Sequence, residues 1–430
     1  MNNERIPVDL LVIGAGPAGL AAAISAREAG IESIIVLERE DFQGGILRQC
    51  IHNGFGLHRF KVELTGPEYA QRDVDRAVEL NLDIRTGVTV LDVTSDKVVT
   101  AISRDWGLQE FEAKAVILAM GCRERPRGAL AIPGTRCAGI YSAGTAQRFV
   151  NLEGYMPGKR VVILGSGDIG LIMARRMTLQ GAKVLACVEL MPYSSGLNRN
   201  IVQCLQDYDI PLLLSHTVTN IRGRERLEGV TVSRVDENRR PIPGTEQDFD
   251  CDTLLLSVGL IPENELSLSA GVEISATTSG AVVDNTLQTN VPGIFACGNV
   301  LHVHDLVDHV SNESAVAGRA AAAYIKGKGW QGSIIPVMDG AGVRGCVPQR
   351  INLPEVPVDF SINLMFRPIN VYRNQYVVVK ADGKVLSSRK HMILTPGEMA
   401  VVPMAADFLE KCRGAKAITV EISAENPPKE

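Results

Sequence analysis

Two carboxylates are the residues best placed for chemistry, each standing at the end of an apolar strand and each preceded by the same glycine pattern. Glu38 follows Gly14-x-Gly16-x-x-Gly19, Glu189 follows Gly165-x-Gly167-x-x-Gly170, and in both cases the acid lies 24 residues beyond the first glycine. This spacing serves dinucleotide binding. The first glycine makes a tight turn, the second lets the backbone approach a pyrophosphate, the third lets the following helix pack on the strand, and the acid accepts from ribose hydroxyls. Two such units in one chain imply two dinucleotides, with electrons passing between them. Glu189 runs on into Leu-Met-Pro-Tyr193 with no arginine close behind, which favours NADH over NADPH because a carboxylate repels a 2′-phosphate.

Other candidates are less defined. Cys50 lies in the glycine-rich loop Gly44 to Gly56, with His52 two residues on. It reads either as a single redox thiol, its pKa lowered by a helix terminus or by His52, or as a packed cysteine with no chemistry. The run His302-Val-His304-Asp305-Leu-Val-Asp308-His309 has spacing that suits metal ligands, but His304, Asp308 and His309 also read as polar residues at a helix start, and no metal is expected. Arg123 and Arg125 suit a phosphate or, as the simpler reading, surface ion pairs. The nine cysteines contain no C-x-x-C, which argues against zinc, an iron–sulfur cluster or a redox disulfide close in sequence.

The elements that must position these groups follow from the pattern. The stretch Val8 to Ile13 is an apolar strand, Ala18 to Ala29 is helical, and Ile34 to Leu37 is a second buried strand. A helix over Gly66 to Asn81 precedes a strand over Asp83 to Val90, and further strands are expected around Val98 to Arg104 and Phe111 to Met120. The second unit repeats the scheme from Arg160 to Glu189, and a small-residue helix is expected over Ser314 to Lys326. Beyond Gly329 the pattern changes to period two. Phe360, Ile362, Leu364 and Phe366 alternate with Ser361, Asn363 and Met365, and Asp382-Gly383 marks a hairpin. Residues 331–430 are expected to form a separate folding and docking unit.

At 430 residues the chain has room for two or three domains. Its 45% hydrophobic and 22% charged content is that of a globular protein, and a net charge of −5 gives no reason to expect nucleic acid as a partner. Met1 to Asp9 lacks a signal-peptide pattern and no run approaches the roughly 18 apolar residues of a membrane span. A cytoplasmic location is expected.

With both glycine motifs, Ala119-Met-Gly121 and Thr289-x-x-Pro292-Gly-Ile-Phe-Ala-Cys297-Gly298 in this order, residues 8–328 resemble the two-dinucleotide-binding-domain flavoproteins, the pyridine nucleotide-disulfide oxidoreductases. The resemblance implies an α/β fold of two Rossmann-like dinucleotide-binding domains, the second inserted in the first, with a small antiparallel β domain at the C-terminus. The expected division is 1–152 and 283–330 for FAD, 153–282 for NAD(H) and 331–430 for the β domain. By position, Gly14, Gly16, Pro17, Ala18, Gly19, Glu38, Arg39, Gly44, Gly45, Val88, Ala119, Gly121, Gly298 and Asn299 would hold FAD. Gly165, Gly167, Asp168, Ile169, Gly170, Glu189 and Gly259 would hold NAD(H), whose nicotinamide would stack on the flavin. The family usually carries an acid where this chain has Asn299; the amide oxygen still accepts a hydrogen bond, but a negative charge is gone. The loop Gly44 to Gly56 and the β-rich tail resemble a narrower group, the NAD-linked flavoproteins that accompany a small cysteine-containing protein and a bacterial glycerol-3-phosphate dehydrogenase-like subunit. The implied activity is an FAD-dependent NADH oxidoreductase, oligomeric and paired with a dehydrogenase subunit or small electron-transfer protein. The alternatives are a free-standing NADH oxidase or peroxidase using Cys50, and a flavin-binding assembly protein without catalysis.

Overall fold

The computed structural model describes residues 5–329, 332–354, 362–405 and 407–427. The chain divides into two compact units, one built from 1–122 and 262–430 and the other from 123–261.

In the first unit the strand Ile6–Ile13 is central. Its apolar side chains are buried on both faces, as a parallel strand covered on two sides requires. Ile34–Leu37 pairs in parallel on one side of it and Gly107–Leu118 on the other. Asp83–Arg85 extends one edge, and Val98–Ser103 with Val88–Val93 continues the other as an antiparallel meander. Where Val98–Ser103 leaves Gly107–Leu118, the strand Ile294–Ala296 takes its place beside Val116 to Leu118. The single strand expected over Asp83 to Val90 is in fact two. Gly87, at φ +65°, turns the chain out of the parallel layer and into the meander.

Helix Pro17–Glu28 starts with proline inside its first turn, and Gly66–Glu79 starts with a full capping box in which Thr65 and Glu68 bond reciprocally. Helix Val307–Ile325 begins seven residues earlier than the small-residue stretch suggested. It packs on Pro17–Glu28 at Gly318, with Ala317, Ala321 and Ala322 buried in the same core. A Cβ on Gly318 would lie 2.1 Å from the Ala22 carbonyl oxygen, so only glycine permits this approach.

The second unit has its own five-stranded parallel sheet, ordered Ile140–Ser142, Thr253–Leu256, Arg160–Leu164, Lys183–Glu189, Leu212–Leu214. A three-stranded antiparallel sheet, His216–Gly223 with Leu227–Arg234 and Gln247–Phe249, completes it.

The C-terminal region forms two sheets around a separate apolar core that includes Val377, Val379, Ile418 and Val420 from the larger and Leu364, Phe366 and Val402 from the smaller. The expected hairpin joins Tyr372–Ala381 to Lys384–Leu394, with Asp382 and Gly383 both at positive φ as a two-residue turn of the primed type demands. The layer is antiparallel apart from one pairing, Val337 to Asp339 alongside Ile418 to Val420. Of the period-two run, Phe360 and Ser361 lie outside the described residues. Ile362, Leu364 and Phe366 are buried as expected, but Met365 is buried too. It pairs with Val347, which belongs to the core of the dinucleotide domain, so this small sheet is covered on both faces. Gln349 and Asn352 bond Val283 and Asp284, and Arg367 and Met399 bond Asp305, which ties the β region to the first domain.

Candidate functional site

The two glycine turns are built alike, down to individual hydrogen bonds. In the first unit Gly14 donates to Leu37 O at 2.8 Å, and a Cβ on it would lie 2.5 Å from Ala119 O. In the second, Gly165 donates to Val188 O at 2.7 Å and sits still closer over Ser257 O, where a Cβ on it would lie 2.0 Å away. Glu38 accepts from the Ala15 N–H at 2.7 Å and the Glu40 N–H at 2.9 Å; Glu189 accepts from the Ser166 N–H and the Met191 N–H, both at 2.9 Å. Both carboxylates are buried, at 7% and 6% exposure, each clamped across its own turn. Glu189 differs in also receiving the Ser166 hydroxyl.

Both turns fit a pyrophosphate. The helices Pro17–Glu28 and Asp168–Leu179 have glycine N-caps with no side-chain capping bond, which leaves first-turn N–H groups for an anion. Asp168 would oppose an anion at the second helix, but its carboxylate is engaged by the Leu197 N–H at 2.8 Å and the Asn200 amide at 2.7 Å. Ile169 and Gly170 continue that helix, Gly170 donating to the Ser257 hydroxyl, and Gly259 stands at φ +101° with open space beside it.

Around the first turn the structure brings together the residues assigned to FAD. Gly44 donates to Ala15 O, and Gly45 faces Gly16 so closely that a Cβ on Gly45 would lie 2.9 Å from the Gly16 Cα. Val88 donates to Glu38 O and Ala119 to Ile13 O; Gly121, at φ +74°, has open space beside it. Gly298, at φ +72°, packs on Ala18, where a Cβ would come within 2.6 Å of the alanine methyl. Arg39 is exposed beside Glu38. Asn299 accepts the His304 N–H at 3.0 Å through its amide oxygen, and its amide nitrogen lies 3.5 Å from Cys122 Sγ.

Cys50 is placed against the start of helix Gly66–Glu79, its carbonyl accepting from Gly66 and its Sγ directed to Ile46 O at 3.4 Å. Burial pushes its thiol up to about 12, against the activation that a thiolate role requires. The His52 ring packs on Phe55.

The histidine run divides. Asp308 and His309 fall in the first turn of Val307–Ile325, as expected, and Asp308 accepts from the Gly56 and Arg59 N–H groups. His302 and His304 lie before the helix, buried against Glu313, a residue that the sequence reading missed. His302 Nε2 is 2.6 Å and His304 Nε2 3.2 Å from the Glu313 carboxylate, which also accepts the Gly298 N–H at 2.8 Å. The only sequence signal for Glu313 was a lone acid among small residues on a helix. The ligand atoms of the three lie within 4.8 Å of one another, a spacing that could surround one ion, and both histidines are hydrogen-bonded to the carboxylate.

Residues 8–322 match the family model "Pyridine nucleotide-disulphide oxidoreductase", and the chain belongs to that family. Its relatives include an opine oxidase subunit of Agrobacterium tumefaciens (strain Ach5), 26% identical over 73% of this chain and 64% of the relative. They also include the glutamate synthase [NADPH] small chain of Mycobacterium tuberculosis, 26% identical over 74% and 66%. The chain thus spans slightly under two thirds of the length of these relatives. Among solved structures, thioredoxin reductase from T. acidophilum superposes with a TM-score of 0.61 at 26% identity, over 75% of this chain and 99% of that one. Homologues in the family use FAD and NAD(P)H as oxidoreductases, the cofactor pair that the two glycine turns imply. Among the described residues no helix is long and apolar enough to cross a membrane.

Proposed function

We propose that this chain is the NAD-facing flavoprotein of a multi-subunit dehydrogenase. FAD on the first turn and NAD(H) on the second supply the hydride exchange, and the electrons pass to or from a partner subunit. The observation that carries the reading is the duplicated clamp, Glu38 on Ala15 and Glu189 on Ser166, each beside a helix whose glycine N-cap makes no side-chain bond. The chain's own contribution is to hold two pyrophosphates on helix N-termini, to present one carboxylate to each ribose, and to discriminate against a 2′-phosphate at Glu189. The partner reading is supported by relatives that are themselves named as a small chain and as a subunit. A dehydrogenase subunit of the glycerol-3-phosphate dehydrogenase-like kind, or a small electron-transfer protein, fits that role in a cytoplasmic assembly. An oxidase or peroxidase cycling through Cys50 fits less well, since burial raises its thiol where a redox role calls for a lowered one.

The test is anaerobic reduction of the FAD-loaded chain. NADH should bleach the flavin far faster than NADPH, and the titration should end at one NADH per FAD. Glu189→Ala should narrow the gap by roughly 10- to 100-fold, the range for losing a charged hydrogen-bond acceptor. A flavin that NADH leaves oxidised would sink the reading, and uptake of a second equivalent that is lost in Cys50→Ser would favour the sulfur-based alternative.

A further inference from the structure

Asn299 carries no charge, and Gly298 beside it packs on Ala18 at the first turn with a buried carboxylate behind it. Glu313, from the second turn of helix Val307–Ile325, reaches back to accept the Gly298 N–H at 2.8 Å, with its side chain only 5% exposed. Such a group would ordinarily be neutral, because burial penalises the anion. His304 and His302, each with Nε2 in hydrogen-bond reach of the carboxylate, overcome that penalty and hold Glu313 well below the usual carboxylate range. His304 itself is kept down by burial, only partly offset by Glu313. Geometry agrees: its Nδ1 is buried without a hydrogen-bond partner, tolerable for the bare nitrogen of a neutral ring whose Nε2–H faces Glu313 but costly for a second N–H. The same histidine fixes Asn299, since its main-chain N–H donates to the Asn299 amide oxygen. Both residues of the Gly298-Asn299 step are thus bonded to one buried cluster.

We infer that Glu313 supplies, from behind Gly298, the negative charge that Asn299 does not carry, and that His302 and His304 position it, so that this cluster sets the reduction potential of the bound flavin. The inference rests on FAD occupying the first turn.

The experiment is the reduction potential of the FAD-loaded protein, measured by equilibration with a reference dye, in the wild type, Glu313→Gln and the double variant Glu313→Gln/Asn299→Asp. Glutamine keeps an acceptor for the Gly298 N–H and removes the charge. The potential should rise in Glu313→Gln by about tenfold or more in the reduction equilibrium, ~30 mV for a two-electron couple, and return towards the wild-type value in the double variant. An unchanged potential in Glu313→Gln, or no return when Asn299→Asp is added, overturns the inference. If Glu313→Gln retains no FAD, the double variant decides: regained flavin supports relocation of the charge, and its continued absence refutes it. A stoichiometric metal in the wild type that is absent from Glu313→Gln would make the cluster a metal site instead. Absence of FAD from the wild-type protein would count against the functional reading itself, whereas a bound flavin whose potential ignores Glu313 counts against this inference alone.

Discussion

His304 shows how one side chain can make a fold sensitive to acid. Its folded-state pKa is depressed by burial, so the unfolded chain takes up a proton that the native ring refuses. Its contribution to stability is complete above the unfolded value of about 6.5 and declines as pH falls below it. Glu313, depressed by its two histidines despite burial, contributes fully above about 4.3 and loses its share only in stronger acid. The thermal midpoint is therefore expected to fall between pH 7 and pH 5, before any carboxylate of normal pKa responds, and His304→Gln should flatten that part of the profile. His309 and His391, also depressed by burial, add to the same slope, so a residual dependence should remain. A midpoint that is constant from pH 7 to pH 5 would contradict the neutral His304 described above.

At the level of elements, the pairing of helices Pro17–Glu28 and Val307–Ile325 joins the first turn to Glu313. Gly318 permits it, and Gly318→Val should force the helices apart, costing about 1–3 kcal/mol and loosening FAD as Glu313 withdraws from Gly298. Thermal unfolding and flavin content would be measured together; normal values for both would show that the close approach is not required. The elements that could be read from sequence are those whose signal is local. Strand, glycine turn, helix and acid repeat within 24 residues, and Asp382-Gly383 specifies its hairpin with two residues. What could not be read depends on distant partners. Nothing local to Met365 reveals that Val347 brings the dinucleotide domain's core to its face, and nothing near Gly298 reveals that Glu313, 15 residues on, folds back to it. The break at Gly87 was visible as a glycine, but the change from parallel to antiparallel pairing was not.

For the whole molecule, the β-rich C-terminal region has its own core and still belongs to the unit that carries the first turn. Its Arg367 bonds Val303 O at 3.1 Å and Asp305 at 2.6 Å, while Met399 N–H donates to the other Asp305 oxygen. These contacts hold the loop that carries His302 and His304. The region thus has a core of its own and is also bonded to the loop that follows Gly298. A chain ending at Lys328 is accordingly expected to lose thermal stability and to retain FAD less well than the full chain, as judged by the flavin-to-protein absorbance ratio after gel filtration. Full retention would support the picture of an independent docking module. The two carboxylate clamps have a kinetic meaning as well. Because Glu38 and Glu189 already close their turns onto Ala15 and Ser166, little loop ordering remains for an arriving dinucleotide to accomplish. Capture should proceed at the rate of diffusive encounter with a rigid surface, and the contrast between a resident flavin and an exchanging nicotinamide then lies in how long each stays.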